Sequence, residues 1–259
     1  MARNISVAEF EAVPRPVLAV GNDYPAGYEI TPHRHRRGQL LHAVEGVMLV
    51  TTDAGTLLVP PDRAVWIPPW LTHAMRSTGA PLAVRNLFVE PGAIDGLPAE
   101  SRVVRITPLM RALILEAVDL PLEYEESGRP AAVMSLLLHE LVALPVLPLG
   151  LPMPVSGPLA DLCHRFAEAP DPHATIDDWC RRLNMSRRSF TRNFRAETGL
   201  SFAQWRQRAC LFAALPRLGA GEAVTSVALD LGYESVAAFT TMFRRLLGEA
   251  PSRYFQSPA

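Results

Sequence analysis

Two segments near the carboxyl end of the chain decide its fold: IDDWCRRLNMSRRSFTRNFRAETG (residues 176–199) and VTSVALDLGYESVAAFTTMFRRLLG (residues 224–248). Their apolar residues match at a separation of 48 residues before the turn and 49 residues after it. In each segment the apolar residues recur every three or four positions, which indicates amphipathic helices. The chain therefore carries one helix-turn-helix pattern twice, and the second turn is one residue longer. A duplicated pattern of this kind is typical of DNA-binding proteins.

The first helix-turn-helix has sequence signals at its helix ends. Thr175 and Asp178 have the spacing of a capping box, which predicts that a helix begins directly after Thr175. Ser186 is a good cap for the next helix, and Gly199 is a good residue to end it. These signals place the turn between two short helices.

The second helix of this first pattern is predicted to turn Phe190 and Phe194 inward. Its outward face is then Arg187, Arg188, Thr191, Arg192 and Arg195. Arginines on one helical face can bond guanine edges in the major groove and phosphates beside it. A solvated basic face is the alternative, and the helix-turn-helix context favours DNA binding.

The corresponding helix of the second pattern has a different outward face. That face is Val236, Ala237, Thr240, Thr241 and Arg244. One arginine stands where the first helix has four, so the first helix is predicted to do most of the base reading and the second to add register and non-polar contacts.

A capping box at Ser201 is predicted to begin a long helix that joins the two patterns, and Pro216 is expected to stop or bend that helix.

Composition supports two domains and a polyanionic partner for the second. A chain of 259 residues with 49% apolar residues can fill two cores. Residues 1–150 carry 12 arginines against 16 acidic residues, whereas residues 151–259 carry 13 arginines against 10 acidic residues.

Three cysteines without a CxxC motif are predicted to be buried thiols. No signal peptide or membrane-spanning segment is evident, so a cytoplasmic location is expected.

Residues 1–106 are predicted to form a small β-barrel or sandwich. Short segments of strand composition, broken by Gly and Pro, lie at 17–20, 28–31, 39–44, 47–52, 56–59, 64–67 and 82–89. Residues 107–144 change to helical spacing. Their apolar stripes are Leu109, Leu113 and Ala117, then Met134, Leu137, Leu138, Leu141 and Val142. The second of these helices is expected either to pack on the barrel or to support a dimer.

Five prolines between residues 145 and 158 predict an extended and stiff linker. The expected organisation is a sensor domain at 1–106, relay or dimerisation helices at 107–144, a linker at 145–156 and a DNA-binding domain at 157–259. The two helix-turn-helix patterns lie at 176–198 and 224–247. The predicted fold class is α+β, with a small β-barrel and flanking helices followed by an all-α domain.

Eight residues of the second pattern stand at fixed spacings: Gly232, Tyr233, Ser235, Phe239, Phe243, Gly248, Pro251 and Tyr254. This run resembles the signature of the AraC/XylS family of bacterial transcription regulators, over roughly residues 157–259. The resemblance implies two helix-turn-helix units joined by a long helix, each inserting a helix into successive major grooves. The base-reading positions implied by the resemblance are Arg188, Thr191 and Arg192, then Val236, Ala237, Thr240 and Thr241. The family often has arginine where Thr241 stands, which implies more backbone contact than base reading by the second helix.

Three histidines of the first domain stand in two spaced motifs, Gly27-x5-His33-x-His35-x3-Gln39-x6-Gly46 and Pro68-x-Trp70-x2-His73. These runs resemble the two cupin motifs, with Gln39 where that family usually has Glu and Trp70 at the usual glycine position. Two histidines two apart in a strand project to one face, and His73 from a neighbouring strand can complete a site for one divalent transition metal. Gln39 would be a neutral fourth ligand.

The same residues can instead line a small-molecule pocket in the barrel mouth. Trp66 and Trp70 are predicted to add aromatic walls to that pocket. The neighbouring Arg34, Arg36 and Arg37 are interpreted either as solvated loop charges or as an attraction for an anionic effector.

The leading hypothesis is a cytoplasmic transcription regulator, not an enzyme, that responds to a small molecule or a metal in a cupin-like domain. It is expected to bind double-stranded operator DNA, to form a homodimer, and to contact RNA polymerase if it is an activator. One alternative is a metal-dependent cupin enzyme with a DNA-binding appendage. The sequence argues against it, because no Asp or Glu is evident as a proton-transfer partner and Gln39 replaces Glu. The other alternative is a regulator whose barrel is only a dimer scaffold.

Overall fold

A computed structural model describes residues 10–255 of the chain. These residues divide into two compact domains. The first contains the described residues up to Asp53 together with Leu57–Leu149, and the second contains Ala54–Thr56 together with the described residues from Gly150 onward. The α+β class predicted from the sequence is confirmed, with the strands in the amino-terminal part and most helices in the carboxyl-terminal part.

The first domain is built on an antiparallel sheet. Its strands, with the two that follow in the proline-rich segment, are β1 (Val17–Tyr24), β2 (Glu29–His33), β3 (Gly38–Thr52), β4 (Gly55–Val59), β5 (Arg63–Ile67), β6 (His73–Val89), β7 (Arg102–Arg105), β8 (Val146–Leu147) and β9 (Gly150–Pro152). The order is β1-β6-β3-β5-β7-β8, while β2 pairs with β6 and β4 pairs with β3 and β9. The long strands β3 and β6 therefore organise the sheet.

The two long strands were only partly predicted. The segments predicted at 39–44 and 47–52 are a single strand, β3, and the segment at 82–89 is only the second half of β6. The register between β3 and β6 shifts on both sides of Glu45, which marks an irregularity of the β-bulge type. Gly46 lies beside this irregularity with φ +79°, a conformation that favours glycine. A glycine at this point of the sequence indicates a turn, but the strand continues through it.

Two helices cover one face of the sheet: α1 (Pro108–Asp119) and α2 (Gly128–Ala143). Thr107 caps α1 by accepting a hydrogen bond from the Met110 backbone N–H. Their buried residues join the sheet in one apolar core; they are Met110, Leu113, Ile114 and Ala117 of α1 and Met134, Leu137, Leu138 and Leu141 of α2. Of the two expectations for α2, packing on the barrel is therefore what the structure shows.

The predicted apolar stripes of these helices were wrong at two positions. Leu109 is 46% exposed and Val142 is 38% exposed. In α1 the buried face runs through Met110, Leu113, Ile114 and Ala117, so Leu113 and Ala117 of the predicted stripe are buried and Leu109 lies outside the buried face.

The proline-rich segment is extended as predicted, but it is not a free linker. Within it, β8 pairs with β7 and β9 pairs with β4. Trp205 donates a hydrogen bond from Nε1 to the Pro152 carbonyl at 2.7 Å, and Arg208 donates to the Gly150 carbonyl at 2.9 Å. Proline lacks a backbone N–H but keeps its carbonyl, so this segment can still accept such bonds.

The second domain is helical after β9. Its helices are α3 (Gly157–Glu168), α4 (Ile176–Leu183), α5 (Arg187–Thr198), α6 (Phe202–Gly219), α7 (Val224–Asp230), α8 (Val236–Leu247) and α9 (Pro251–Tyr254). Aromatic side chains fill the core of the first helix-turn-helix, with Trp179 and Trp205 at its centre. The three cysteines are buried, as predicted. In the part of the chain that the structure describes, every helix is too short or too polar to cross a membrane.

The long joining helix α6 does not stop at Pro216, so of the two expectations, a stop or a bend, the stop was wrong. The helix continues to Gly219, and the Ala220 N–H bonds back to the Pro216 carbonyl at 3.0 Å. Pro216 lies in the last turn, between the buried Leu215 and Leu218. A proline there removes a single helical hydrogen bond, and burial of its neighbours offsets that loss.

Candidate DNA interface and effector cavity

Local capping fixes the geometry of the first helix-turn-helix. The Thr175 hydroxyl accepts from the Asp178 backbone N–H while the Asp178 carboxylate accepts from the Thr175 N–H, which completes the predicted capping box. Asn184 takes the left-handed conformation, with φ +51°, and so ends α4 and makes the turn. Ser186 caps α5 and Gly199 ends it, as predicted.

The two faces of α5 are divided as the sequence predicted. Phe190 and Phe194 are buried against Trp179, with ring centroids 6.2 and 6.1 Å from it. The opposite face is exposed and borders an open groove; it carries Arg187, Arg188, Thr191, Arg192 and Arg195. Four guanidinium groups on one exposed face form a surface suited to a DNA groove.

Arg187 differs from the other arginines of this face because it is engaged within the protein. Its guanidinium forms two hydrogen bonds with the Asp177 carboxylate of α4, one of 2.6 Å between Nη2 and Oδ2. This pairing lowers the pKa of Asp177 from its ordinary value. Within residues 10–255, no carboxylate lies within ion-pair distance of Arg188, Arg192 or Arg195. The available positive charge of α5 is therefore on those three residues.

The outward face of α8 is less polar than that of α5. Phe239 and Phe243 are buried, while the predicted outward residues Val236, Ala237, Thr240, Thr241 and Arg244 are exposed or half-buried. The Thr241 hydroxyl donates to the Ala237 carbonyl at 2.8 Å. Since that hydrogen is used within the helix, Thr241 does not present a free donor to a base.

A cavity of about 260 Å³ lies in the first domain, and the predicted histidines line one of its walls. His33 ends β2 and lies opposite His73, the first residue of β6. His33 and His35 were expected to lie in one strand, but only His33 does. His35 lies in the connection between β2 and β3. The three side chains nevertheless converge, with one ring nitrogen of each within 4.8 Å of the others.

Hydrogen bonds fix the same tautomer in all three rings. The Nδ1 atoms of His33, His35 and His73 lie 2.7–2.9 Å from the backbone carbonyls of Thr31, Arg37 and Leu71. A carbonyl only accepts, so each Nδ1 carries the hydrogen and each Nε2 keeps its lone pair when the ring is neutral. Burial favours the neutral ring, because desolvation lowers the pKa of His35 and lowers that of His73 to about 4.

This donor set fits a divalent transition metal. Metal-binding histidines usually donate their second ring N–H to a carbonyl or carboxylate, which is the arrangement of all three rings here. The residues that would hold the ion are His33, His35 and His73, through Nε2. Neutral imidazole nitrogens are good ligands for zinc, copper, iron and nickel.

Gln39 lies beside the histidines, as the motif predicted. Its Oε1 is 3.2 Å from Nε2 of His35, and its Nε2 donates to Asn86 Oδ1 at 2.9 Å. Asn86 in turn donates to Asn22 at 2.9 Å. In this orientation the Gln39 oxygen and the His35 lone pair face one another, and a cation between them would satisfy both.

Trp66 and Trp70 do not line the cavity, so their predicted role was wrong. Trp66 pairs across strands with Leu40 and shares its side of the sheet, which faces α1 and α2, whereas Gln39 faces the cavity. The Trp66 indole N–H is used by the Pro98 carbonyl at 2.8 Å. Trp70 is 59% exposed, in the loop before β6.

Several residues of the cavity were missed by the sequence reasoning. Asn22, Tyr24, Asn86 and Phe88 line it from β1 and β6, and Phe10 closes it with a ring stacked 3.7 Å from that of Phe88. The available signal was polar Asn at positions of otherwise apolar strands.

Arg37 was interpreted as a loop charge, but it is fully buried. It forms an ion pair with Glu90 at 2.9 Å and donates to the carbonyls of Val13 and Arg15. Arg37 therefore holds the segment that carries Phe10 against the sheet.

Comparison with known proteins identifies both domains. A model of the AraC-like ligand binding domain matches residues 15–141, and a model of a helix-turn-helix domain matches residues 179–257. The HTH-type transcriptional regulator NimR of Escherichia coli K12 is 36% identical over 222 residues, which cover 86% of this chain and 81% of NimR.

Two solved structures are also similar. The DNA-binding domain of AdpA, in complex with a target DNA, is 33% identical over 39% of this chain and 91% of that chain, with a TM-score of 0.36. ToxT of Vibrio cholerae with a bound unsaturated fatty acid is 11% identical over 92% of this chain and 94% of that chain, with a TM-score of 0.37. The match to NimR over most of both chains, together with the two family models, shows that this chain belongs to the AraC/XylS family of transcription regulators, with an AraC-type ligand-binding domain followed by a helix-turn-helix DNA-binding region.

Proposed function

We propose that this DNA-binding transcription regulator senses an effector in the histidine-lined cavity of its first domain. The observation that carries the proposal is the convergence of one ring nitrogen from each of three histidines, within 4.8 Å of one another, in a cavity of the first domain. The occupant shifts the chain between a state that binds operator DNA tightly and a state that binds it weakly. It can do so only if its own affinity for these two states differs. RNA polymerase is the further partner if the chain acts as an activator.

The histidines hold one divalent transition metal in this proposal, with the oxygen of Gln39 as a neutral fourth ligand. The fixed tautomers support it, because all three Nδ1 atoms are already bonded and all three Nε2 atoms are available. A bound metal would supply a positive charge and a coordination position for an effector. The residues of this chain orient the rings and exclude bulk water.

The rest of the cavity suits a compact and uncharged molecule. The described residues that line it include no Arg, Lys, Asp or Glu, and one wall is apolar, with Val20, Ile30, Leu41, Met75 and Phe88. A charged group that did not contact the metal would be left without a partner there, which is costly. The volume of about 260 Å³ is just below the roughly 300–1,000 Å³ of typical ligand pockets, so a small effector is favoured.

The same lining supports a regulator in preference to an enzyme. No carboxylate among the described lining residues is placed to transfer a proton, and Gln39 stands where a carboxylate ligand is expected from the cupin motif. DNA as the partner places the regulator with the chromosome, in the cytoplasm.

A homodimer is part of the proposal. Leu109 and Leu115 of α1 and Leu136 and Val142 of α2 are exposed, although these helices bury their other faces against the sheet. Exposed apolar side chains on two adjacent helices favour contact with a second copy. Light scattering of the purified chain measures its mass directly, and a monomer at micromolar concentration would exclude this dimer.

The metal site is tested by the metal content of purified protein after incubation with zinc chloride and desalting. We expect one zinc ion per chain in the unaltered protein and a background value in His33→Ala. The matched control is His139→Ala, which removes an exposed histidine of α2 that is remote from the cavity. Equal zinc contents in the unaltered protein and His33→Ala would contradict the assignment.

A further inference from the structure

The loop between α3 and α4 contacts the turn of the second helix-turn-helix. His173 Nε2 donates to the Gly232 carbonyl over 2.6 Å. Pro172 packs on the same glycine, since a Cβ built there would lie 3.5 Å from Pro172 Cδ. The loop leads directly into α4, and Gly232 precedes α8. This contact therefore joins the two helix-turn-helix units directly, in addition to the long helix α6.

The loop that carries His173 is itself anchored. The His173 backbone N–H donates to Asp171 Oδ1 at 2.8 Å, and the Ala174 N–H donates to the Asp171 carbonyl at 3.2 Å. Arg206 of α6 donates to the Ala174 carbonyl. The His173 ring is therefore presented from a backbone that is already tied to the joining helix.

The turn that receives His173 is also anchored to α6. The Tyr233 side chain interacts with the Cys210 thiol of α6, and burial together with this thiol raises the pKa of Tyr233. Gly232 has φ +82°, a conformation that side-chain-bearing residues rarely adopt. The second turn is one residue longer than the first, and it is this longer turn that offers the acceptor carbonyl.

We propose that His173 is a positioning residue that holds the two helix-turn-helix units at one separation, so that the chain recognises its two DNA subsites at one spacing. The inference rests on the proposed reading of DNA by both α5 and α8. The separation of two reading helices sets the separation of the base pairs that they contact. The hydrogen bond from His173 links the loop before α4 to the turn before α8. A different spacing would require α6 to bend, and this hydrogen bond resists that bending.

The experiment measures operator affinity against subsite spacing. DNA duplexes are first selected from a random library by the unaltered full-length chain, and nuclease footprinting identifies the two segments that the chain protects. The duplexes are then rebuilt with one base pair inserted or deleted between these two segments. The insertion is expected to weaken binding by the unaltered protein about tenfold or more. His173→Ala should reduce that loss by about fivefold, which is the effect of one ordinary hydrogen bond, while its affinity at the original spacing changes little.

Two further variants separate positioning from a general structural role. His173→Gln keeps an N–H donor and should restore the spacing preference in part. His164→Ala, which removes an exposed histidine of α3, should behave like the unaltered protein. The same spacing preference in His173→Ala and unaltered protein would overturn the proposal, as would a uniform loss of affinity at all spacings. An unaltered protein that tolerates every spacing would overturn both this proposal and the reading of DNA by two helices.

Discussion

Arg187 and Arg192 lie on the same helix, but their surroundings give them different roles. Arg187 is bonded twice to Asp177 and links α4 to α5, whereas Arg192 is exposed and has no carboxylate of residues 10–255 within ion-pair distance. A surface ion pair of this kind contributes little to stability, because water and salt screen it. The free guanidinium groups are therefore the ones that DNA can use.

Arg192→Ala should weaken binding to a selected operator and relax the base preference at one position. A bidentate contact to guanine contributes about 1–3 kcal/mol, so we expect roughly a tenfold loss in a gel-shift titration. The matched control is Arg165→Ala, which removes one exposed charge from α3. Unchanged affinity and unchanged base preference in Arg192→Ala would show that α5 does not read bases through this residue.

His42 gives the first domain a pH dependence that is separate from the metal site. It is buried in β3, its Nδ1 lies 3.1 Å from the Arg63 carbonyl, and desolvation lowers its pKa to about 4. The unfolded chain binds a proton near pH 6.5, so it binds more protons than the folded chain between pH 6.5 and 4. Stability is thus full above pH 6.5 and falls as the pH drops towards 4, by up to about 3 kcal/mol from this residue.

His42→Asn removes this titration and keeps a side-chain N–H donor for the Arg63 carbonyl. Urea unfolding at pH 7 and at pH 5 should show a smaller loss of the unfolding free energy in the variant than in the unaltered protein. An equal loss in both would mean that other groups produce the acid sensitivity.

Among individual residues, the sequence predicted those whose position follows from local rules. The faces of α5 follow from its caps and from the spacing of Phe190 and Phe194. Trp66 was misplaced because its side of the sheet depends on its cross-strand pairing with Leu40. Arg37 was missed because its partners, Glu90 and the carbonyls near residue 14, are distant in sequence.

At the scale of elements, the irregularity in β3 determines how the first domain is built. β3 and β6 pair along most of their lengths, and their register shifts on both sides of Glu45. A Cβ on Gly46 would lie 2.4 Å from the Pro81 carbonyl oxygen, a backbone atom that cannot move aside easily. The two long strands therefore depend on glycine at this point.

Gly46→Ala should destabilise the first domain more than Gly27→Ala. Both glycines have positive φ, but a Cβ on Gly27 would have no atom of a non-adjacent residue within 4 Å among residues 10–255. We expect about 1 kcal/mol of strain for Gly27→Ala and about 1–3 kcal/mol more for Gly46→Ala, measured by chemical unfolding followed by circular dichroism. Equal losses in the two variants would mean that the contact with Pro81 is relieved at little cost.

The elements also show where sequence patterns were insufficient. Residues 73–81 were not predicted as strand, because Gly79 and Pro81 break the composition while β6 continues through them. Pro216 was expected to stop or bend α6; the helix does not stop there, because a proline in the last turn removes only one hydrogen bond. The stripe of α1 was wrong at Leu109, because the buried face includes Met110 and Ile114 beside Leu113 and Ala117 and so turns away from Leu109.

At the scale of the whole molecule, the chain combines a domain with a histidine-lined cavity and a domain with an exposed basic helix. The motifs predicted both parts, since the spacing of the histidines and of the repeated helices is encoded locally. The sequence did not indicate that residues 146–147 and 150–152 form strands, because such pairing depends on partners far along the chain. Regulation by an effector in this cavity requires that occupation of the cavity alters the affinity for DNA.

The most direct test measures the dissociation constant of the full-length chain for a selected operator, by fluorescence anisotropy, in a zinc-loaded form and in a form stripped with a chelator. Coupling between two sites typically amounts to 1–3 kcal/mol, so we expect the two forms to differ by at least about fivefold. The difference should disappear in His33→Ala. Equal dissociation constants for the zinc-loaded and stripped forms of the unaltered protein would contradict the account.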